Sequence, residues 1–294
     1  MALPSYATPV QRTYYYAYLF FCGVVFFFLI APLIAIIPIS FSVSPFMVFT
    51  DEMLTWPPDP DAWSLRWYKN MIGNCSADVV SSTVPCSNKW MIGTVNSFFI
   101  GFVATFIATT LGTLAALGLS RPHMPYKGLI MAILISPMIV PLIITAAGMF
   151  FFYARINLVY SFTGIILAHV ALATPFVVIT VTATLVGFDM NMVKASQSLG
   201  ARPVRTFFKV IMPLILPGVI SGALFAFITS FDEVVIVMFM ASLDQLTIPK
   251  QMWAGIRQEI SPVILCMATC LVILSILCLL YTSPSPRDAT LSRM

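Results

Sequence analysis

The chain has 294 residues, of which 60% are hydrophobic and only 9% are charged. Soluble globular domains carry about 25% charged residues, so this composition excludes a soluble enzyme and indicates a protein that crosses a membrane several times. The formal net charge of +4 is too small to indicate a nucleic-acid surface. The charged residues are better interpreted as signals of membrane orientation.

Six apolar runs reach the length of roughly 20 residues that a helix needs to cross the hydrocarbon core of a bilayer. They predict an all-α membrane protein with six transmembrane helices. The runs cover about residues 15–39, 91–119, 129–153, 162–186, 214–240 and 260–280. Pro137 and Pro141 predict that the third run is irregular.

The polar region between the first two runs contains Cys75 and Cys86. In an oxidising compartment these two cysteines would be able to form a disulfide that closes a small loop, and the alternative is two free thiols. The cysteines inside the apolar runs are interpreted as packing residues. No spacing of Cys and His residues indicates a metal site.

The second run contains small residues at helical spacing. Gly101, Thr105, Ala108 and Gly112 fall on one face of a helix. Small side chains let helix backbones approach each other closely, so this face is predicted to be a helix–helix interface.

Lysine and arginine residues favour a cytoplasmic N-terminus, because they are enriched in cytoplasmic loops. With this orientation the inner segments carry seven of them and the short outer loops carry three. The inner residues are Arg12, Arg121, Lys127, Lys194, Arg202, Arg205 and Lys209, and the outer ones are Arg155, Lys250 and Arg257.

Three ionisable residues lie inside apolar runs, where a charge is costly and marks a candidate functional residue. We interpret His169, Asp232 and Glu233 as candidates for a substrate path. Two alternatives stay open. His169 would instead donate a hydrogen bond to a carbonyl within the bundle, or the carboxylates would lie at a helix end that reaches the outer headgroups.

A polar and basic stretch at residues 189–217 separates the fourth and fifth runs. It predicts a short helix, a glycine break and a second helix. Asp189 or Asn191 is suited to cap the first helix, and Gly200 is suited to end it. Pro203 suits the first turn of the second helix, where its missing N–H is no loss.

This stretch resembles the coupling loop of ABC-importer permeases of the binding-protein-dependent type. The pattern of that family is Glu-Ala-Ala, three residues, Gly, nine residues, Ile, one residue, Leu-Pro. Gly200 lies six residues after Lys194 and Pro213 lies nineteen after it, as the pattern requires, but Lys194 stands where the family usually has Glu. The resemblance implies contact with an ATPase subunit. The residues concerned are Lys194, Ala195, Ser196, Leu199, Gly200, Ala201 and Pro213.

Residues 231–235, 248–253 and 256–262 resemble the second permease subunit of spermidine/putrescine importers. The resemblance implies a type I ABC importer transmembrane domain at residues 91–280, preceded by a first span and an outer loop at residues 1–90. It also implies import of polyamines by alternating access in a bacterial inner membrane. The implied partners are a second permease subunit, a pair of ATPase subunits and a periplasmic or lipid-anchored binding protein.

The sequence contains no phosphate loop of the Gly-x4-Gly-Lys-[Ser/Thr] kind and no recognisable catalytic constellation. We therefore expect a transport subunit that is not itself an enzyme and holds no cofactor, with ATP and Mg²⁺ bound by the partner ATPase. One alternative is an importer of an opine, an aminophosphonate or ferric iron. Another is an ion-driven secondary transporter, which would leave the coupling stretch unexplained.

The final residues, 278–294, are similar to an in-frame translation of a sequencing adapter. We expect the natural chain to depart from this sequence near Leu277. The alternative is a genuine short polar tail.

Overall fold

The computed structural model describes residues 8–57, 59–73, 88–121, 123–189, 191–258 and 261–282. Within these residues the regular structure is helical, and a bridge between Ser42 and Trp63 is the β feature present. This confirms the all-α prediction. The α-helices, in chain order, are α1 (Pro9–Ile39), α2 (Asp51–Leu54), α3 (Arg66–Met71), α4 (Lys89–Leu119), α5 (Lys127–Ile139), α6 (Leu142–Arg155), α7 (Phe162–Val186), α8 (Asn191–Ser198), α9 (Pro203–Thr206), α10 (Met212–Phe231), α11 (Val235–Met240), α12 (Ile248–Gln258) and α13 (Val263–Thr282).

Four helical segments of the described chain are long and apolar enough to cross a membrane. They are α1, α4, α7 and the continuous stretch Pro203–Phe231, and the helix at the end of the described chain, α13, is also apolar. The third predicted span is a bent pair, since α5 and α6 meet at an angle of 103°. Val140 is extended before Pro141 because the proline ring disfavours a helical residue ahead of it. The irregularity predicted for this run is therefore present.

The fifth predicted span has different bounds from the expected run at 214–240. Its helix begins earlier, at α9, and passes through a π-helical turn at Phe207–Ile211 into α10. It also ends earlier, at Phe231, and α11 follows after a break. A hydropathy run does not register this break, because the residues on both sides of it are apolar.

The chain divides into two compact units, residues 89–254 and the remainder. In the 89–254 unit, α4, α7 and α10 pack against one another. A Cβ on Gly112 would lie 2.7 Å from Val177 Cβ, and one on Gly222 would lie 3.0 Å from Val177 Cα. Gly101, Ala108 and Gly112 are buried in α4, so the predicted interface of small residues is confirmed.

In the other unit, α13 packs against both α1 and α3. Trp67 Nε1 donates a hydrogen bond to the Ser42 carbonyl at 2.9 Å, and Ser40 Oγ lies 2.7 Å from the Tyr68 hydroxyl. Cys266 Sγ donates to the Ser40 carbonyl. These bonds give the polar region after α1 a defined fold, although α1 itself has no buried residue.

Candidate functional site

The polar stretch between α7 and α10 begins with a capped helix. Asp189 Oδ1 accepts a hydrogen bond from the Asn191 N–H at 2.9 Å. Of the two predicted capping residues, Asp189 therefore takes this role, and Asn191 is the first residue of α8. A carboxylate at this end also compensates the free N–H groups of the first turn.

Gly200 ends α8 in the left-handed backbone conformation, with φ of +77°. Its N–H donates to the Gln197 carbonyl at 2.9 Å, and the Ala201 N–H donates to the Ser196 carbonyl at 3.1 Å. This pair of bonds is a Schellman motif, which favours glycine because no Cβ clashes there. Pro203 then opens α9. The predicted order of helix, glycine break and helix is confirmed.

A side-chain hydrogen bond of Ser196 connects the two short helices α8 and α9. Ser196 Oγ lies 2.9 Å from Thr206 Oγ1, and Thr206 is buried in α9. Since α9 continues without interruption into α10, this bond links α8 mechanically to a long apolar helix. The family pattern has Ala where this chain has Ser196, so the pattern itself contains no signal for this contact.

The surface of the stretch is both basic and apolar. Leu199 is 88% exposed, and Val204 and Phe208 are also exposed. The cationic side chains of Lys194, Arg202, Arg205 and Lys209 are exposed as well. Ala195 and Pro213 lie on the surface, and Ala201 is half-buried. An exposed apolar patch among cations is typical of a protein-contact surface with an acidic partner.

A buried polar pair lies in the core of the 89–254 unit. His169 on α7 is only 1% exposed, and its Nδ1 lies 2.8 Å from Ser230 Oγ on α10. Within the described chain, His169 Nε2 has no hydrogen-bond partner. His169 is thus bonded to a hydroxyl, and not to a carbonyl as the alternative interpretation expected.

Asp232 and Glu233 occupy the break between α10 and α11, two and three residues beyond Ser230. Asp232 ends α10 and is exposed, whereas Glu233 is 7% exposed. The Ile236 N–H donates to Glu233 Oε1 at 2.9 Å, so this carboxylate caps α11. The expectation that both acids lie within one continuous apolar helix is wrong, and the break separates their environments.

The segment that follows α11 is anchored by polar residues that the sequence interpretation did not identify. Asn96 Nδ2 donates to the Asp244 and Leu246 carbonyls at 3.0 and 2.9 Å, and Ser97 Oγ accepts from the Ile248 N–H at 2.8 Å. Lys250 Nζ donates to the Ala241 carbonyl at 3.1 Å, and burial lowers the pKa of this ammonium group. In the sequence, the one sign of these contacts was the polar pair Asn96-Ser97 near the start of the second apolar run.

The remaining predicted pair, Cys75 and Cys86, lies outside the described residues. The disulfide between them stays a prediction.

Residues 108–283 match the protein family described as the binding-protein-dependent transport system inner membrane component. This match covers more than half of the chain. The chain belongs to this family. It is a permease subunit of an ABC importer and not an enzyme, as the resemblance of the coupling stretch implied.

Several relatives of this permease are permease proteins of polyamine transport systems. The spermidine/putrescine transport system permease protein PotC of Haemophilus influenzae is 28% identical over 256 residues, which cover 87% of this chain and 91% of that protein. PotC of Escherichia coli K12 is 27% identical over 92% of this chain and 94% of its own. The E. coli putrescine transport system permease protein PotI is 28% identical over 83% and 81%.

Solved transporters share the fold of this permease. A chain from a bacterial ABC transporter involved in the import of the acidic polysaccharide alginate has a TM-score of 0.71 at 14% identity, over 94% of this permease and 97% of that chain. A chain of the MetNI methionine ABC transporter, in an inward-facing conformation, has a TM-score of 0.50 at 19% identity, over 64% and 90%. At these identities the likeness concerns the fold alone.

Proposed function

We propose that this permease is one of two transmembrane subunits of an ATP-driven importer that moves polyamines such as spermidine and putrescine into the cytoplasm. The observation that carries the proposal is the similarity to the polyamine permeases PotC and PotI, which extends over 83–92% of the chain at 27–28% identity. The assembly would contain a second permease, two ATPase subunits and a substrate-binding protein.

The break after α10 supports a cationic substrate. A polyamine is a flexible polycation, and a carboxylate in the translocation path replaces part of the hydration that it loses on entering the membrane. Asp232 is exposed, whereas Oε1 of Glu233 accepts the hydrogen bond that caps α11. Asp232 is therefore the stronger candidate for contact with a transient amine, and Glu233 and His169 support the shape of the break.

The stretch from α8 to α9 supports coupling to a partner ATPase. ATP and Mg²⁺ would bind to that partner, and closure of the ATPase pair would push on the exposed side chains of α8. The Ser196–Thr206 hydrogen bond offers a route from α8 into the helix that leads to Asp232. Lys194, in place of the usual Glu, would favour an acidic contact on the ATPase.

Transport of this kind requires α8 on the cytoplasmic side. Lysine and arginine are more frequent in the predicted inner segments, which include α8, than in the short outer loops. This excess supports a cytoplasmic N-terminus in the bacterial inner membrane.

Reconstitution tests the function directly. The two permeases and the ATPase pair are placed in proteoliposomes, the binding protein is added outside, and uptake of radiolabelled spermidine and putrescine is measured with and without ATP. The expected result is ATP-dependent accumulation that excess unlabelled polyamine abolishes. Accumulation of an opine, an aminophosphonate or ferric iron instead would overturn the polyamine assignment while keeping the importer. Uptake that follows an ion gradient without ATP would overturn both.

A further inference from the structure

Four phenylalanine rings pack together next to the break that carries Asp232. Phe98 and Phe102 lie one turn apart on α4, and Phe227 and Phe231 lie one turn apart on α10. The ring centroids of Phe98 and Phe231 are 5.2 Å apart, and those of Phe102 and Phe227 are 5.1 Å apart. Along each helix the neighbouring rings are 6.0 and 5.4 Å apart. These four residues are named the phenylalanine cluster.

The phenylalanine cluster is held in place but is not enclosed by the chain. A Cβ on Gly101 would lie 3.1 Å from Phe227 Cε2, so the absence of a side chain at Gly101 lets this ring lie close against α4. Phe102 is 62% exposed, and the other three rings are half-buried. Part of the surface of the cluster is therefore accessible to another molecule.

The position of Asp232 indicates the chemistry of that molecule. Asp232 follows Phe231 directly, is exposed, and has no ion pair with a lysine or arginine of the described residues. An ionised carboxylate is costly against lipid, so the end of α10 is expected to border water or a polar group. A carboxylate and the negative face of an aromatic ring both attract cations. The occupant with matching chemistry is a cation that also has apolar segments.

We infer that Phe98, Phe231 and Asp232 hold one ammonium group of the polyamine substrate, and that Phe102 and Phe227 hold the next one. The inference rests on the proposed function. One helical turn, about 5.4 Å, separates the two ring pairs, and the short methylene chains between neighbouring amines of a polyamine span a similar length. Phenylalanine offers a weaker cation–π contact than tryptophan, which suits a site that must release its substrate.

The experiment measures initial rates of spermidine and putrescine uptake into proteoliposomes that contain the complete importer and receive the loaded binding protein. A trifluorinated phenylalanine at position 231 keeps the size of the ring but removes the negative charge of its face. Its expected effect is a rate about fivefold lower, at equal amounts of assembled importer, and Phe231→Leu is expected to do the same. Phe225→Leu is the matched control and should transport like the wild type, because Phe225 is an exposed ring on the same helix outside the cluster.

Asp232→Asn tests whether the ring and the carboxylate hold the same ammonium group. If they do, the trifluorinated ring should lower the rate less in the Asp232→Asn importer than in the wild type, because the two contacts are coupled. Two effects that simply multiply would place the ring and the carboxylate at separate sites and would overturn the shared one.

The remaining outcomes separate this inference from the proposed function. Wild-type rates with the trifluorinated ring, in an importer that accumulates polyamines, would overturn the inference and leave the polyamine importer intact. A loss of uptake in Phe231→Leu beside a normal rate with the trifluorinated ring would assign the cluster to packing and would also overturn it. If the wild-type importer accumulates no polyamine, the proposed function and the cation site fail together.

Discussion

Gly200 shows how a single residue sets the geometry of the coupling stretch. Its φ of +77° is in the left-handed region, and no heavy atom lies within 4 Å of the position that a Cβ would take. The barrier to substitution is therefore conformational and not a packing clash. A left-handed conformation costs an L-residue about 1–2 kcal/mol, and asparagine tolerates it better than a β-branched residue does.

Gly200→Val is thus expected to distort the end of α8 and to uncouple ATP hydrolysis from uptake, or to prevent assembly with the ATPase. Gly200→Asn is the matched control and should retain most of the uptake. The measurement is the ratio of polyamine transported to ATP hydrolysed in proteoliposomes. Equal ratios for wild type, Val and Asn would show that the end of α8 does not transmit the ATPase motion.

Ser230 Oγ is the hydrogen-bond partner of His169 Nδ1. Among the described residues, the other ring nitrogen of His169 has no hydrogen-bond partner. Ser230→Ala would leave His169 unpaired, which costs about 1–3 kcal/mol for a buried polar group. We expect a lower thermal unfolding midpoint in detergent, measured by intrinsic fluorescence. Ser221→Ala, an exposed serine on the same helix, should unfold like the wild type. A normal midpoint for Ser230→Ala would show that the pair adds no stability.

At the scale of helices, the break between α10 and α11 gives two adjacent acids different tasks. Glu233 supplies an oxygen to the first turn of α11, whereas Asp232 stays exposed at the end of α10. A continuous helix would place adjacent side chains about 100° apart, but here both residues lie in the break between two helices.

Asp232→Asn should therefore lower the initial rate of polyamine uptake by about tenfold, the loss that one charge-assisted contact represents. Glu233→Gln keeps an oxygen acceptor for the Ile236 N–H and should have the smaller effect. Uptake is compared at equal amounts of assembled importer, with affinity for the binding protein as the control. Wild-type rates in both variants would remove the acids from the path.

The crossing of α7 and α10 depends on the absence of a side chain at Gly222. A Cβ there would lie 2.5 Å from Thr180 Oγ1 as well as 3.0 Å from Val177 Cα. Gly222→Ala should force the two helices apart and destabilise the protein by about 1–3 kcal/mol. Gly148→Ala, where no atom lies within 4 Å, should be neutral or slightly stabilising. The measurement is the thermal unfolding midpoint of each variant. A Gly222→Ala midpoint equal to that of the wild type would show that α7 and α10 are not tightly packed at this position.

The sequence allowed much of the helical order to be predicted, because apolar length and Gly or Pro positions have local causes. The fourth run matches α7 at both ends, and Gly200 was assigned its role as a glycine that follows a short predicted helix. The bond between Ser196 and Thr206 and the hydrogen bonds of Asn96 and Ser97 were not predicted, since each of them joins two different elements of the fold. The break at Asp232 was missed because apolar residues continue beyond it.

For the molecule as a whole, the predicted orientation in the membrane rests on small differences in charge. Leu199 beside Gly200 and Leu243 after α11 are 88% and 85% exposed, and the proposed topology places them on opposite sides of the membrane. Both therefore offer accessible positions for a chemical label.

Leu199→Cys and Leu243→Cys, each in a background without other cysteines, test the orientation. A membrane-impermeant maleimide should label Leu243→Cys in intact spheroplasts and Leu199→Cys only in inverted vesicles. Detergent-solubilised samples, in which both should react, control for accessibility. The reverse pattern would place the N-terminus outside and would reject the coupling role of α8.

The π-helical turn at Phe207–Ile211 lies between the two ends of a long helix. A π turn holds more residues than an α turn, so one residue fewer would restore an ordinary helix there. The widened turn absorbs that extra residue, so its loss would leave Thr206 and Gly222 in nearly the same angular relation about the helix axis. Loss of a residue elsewhere in Pro203–Phe231 would instead turn one end of the helix against the other by about 100°. The angular setting between the coupling stretch and the bundle therefore tolerates a change of length at this turn and not in the rest of the helix.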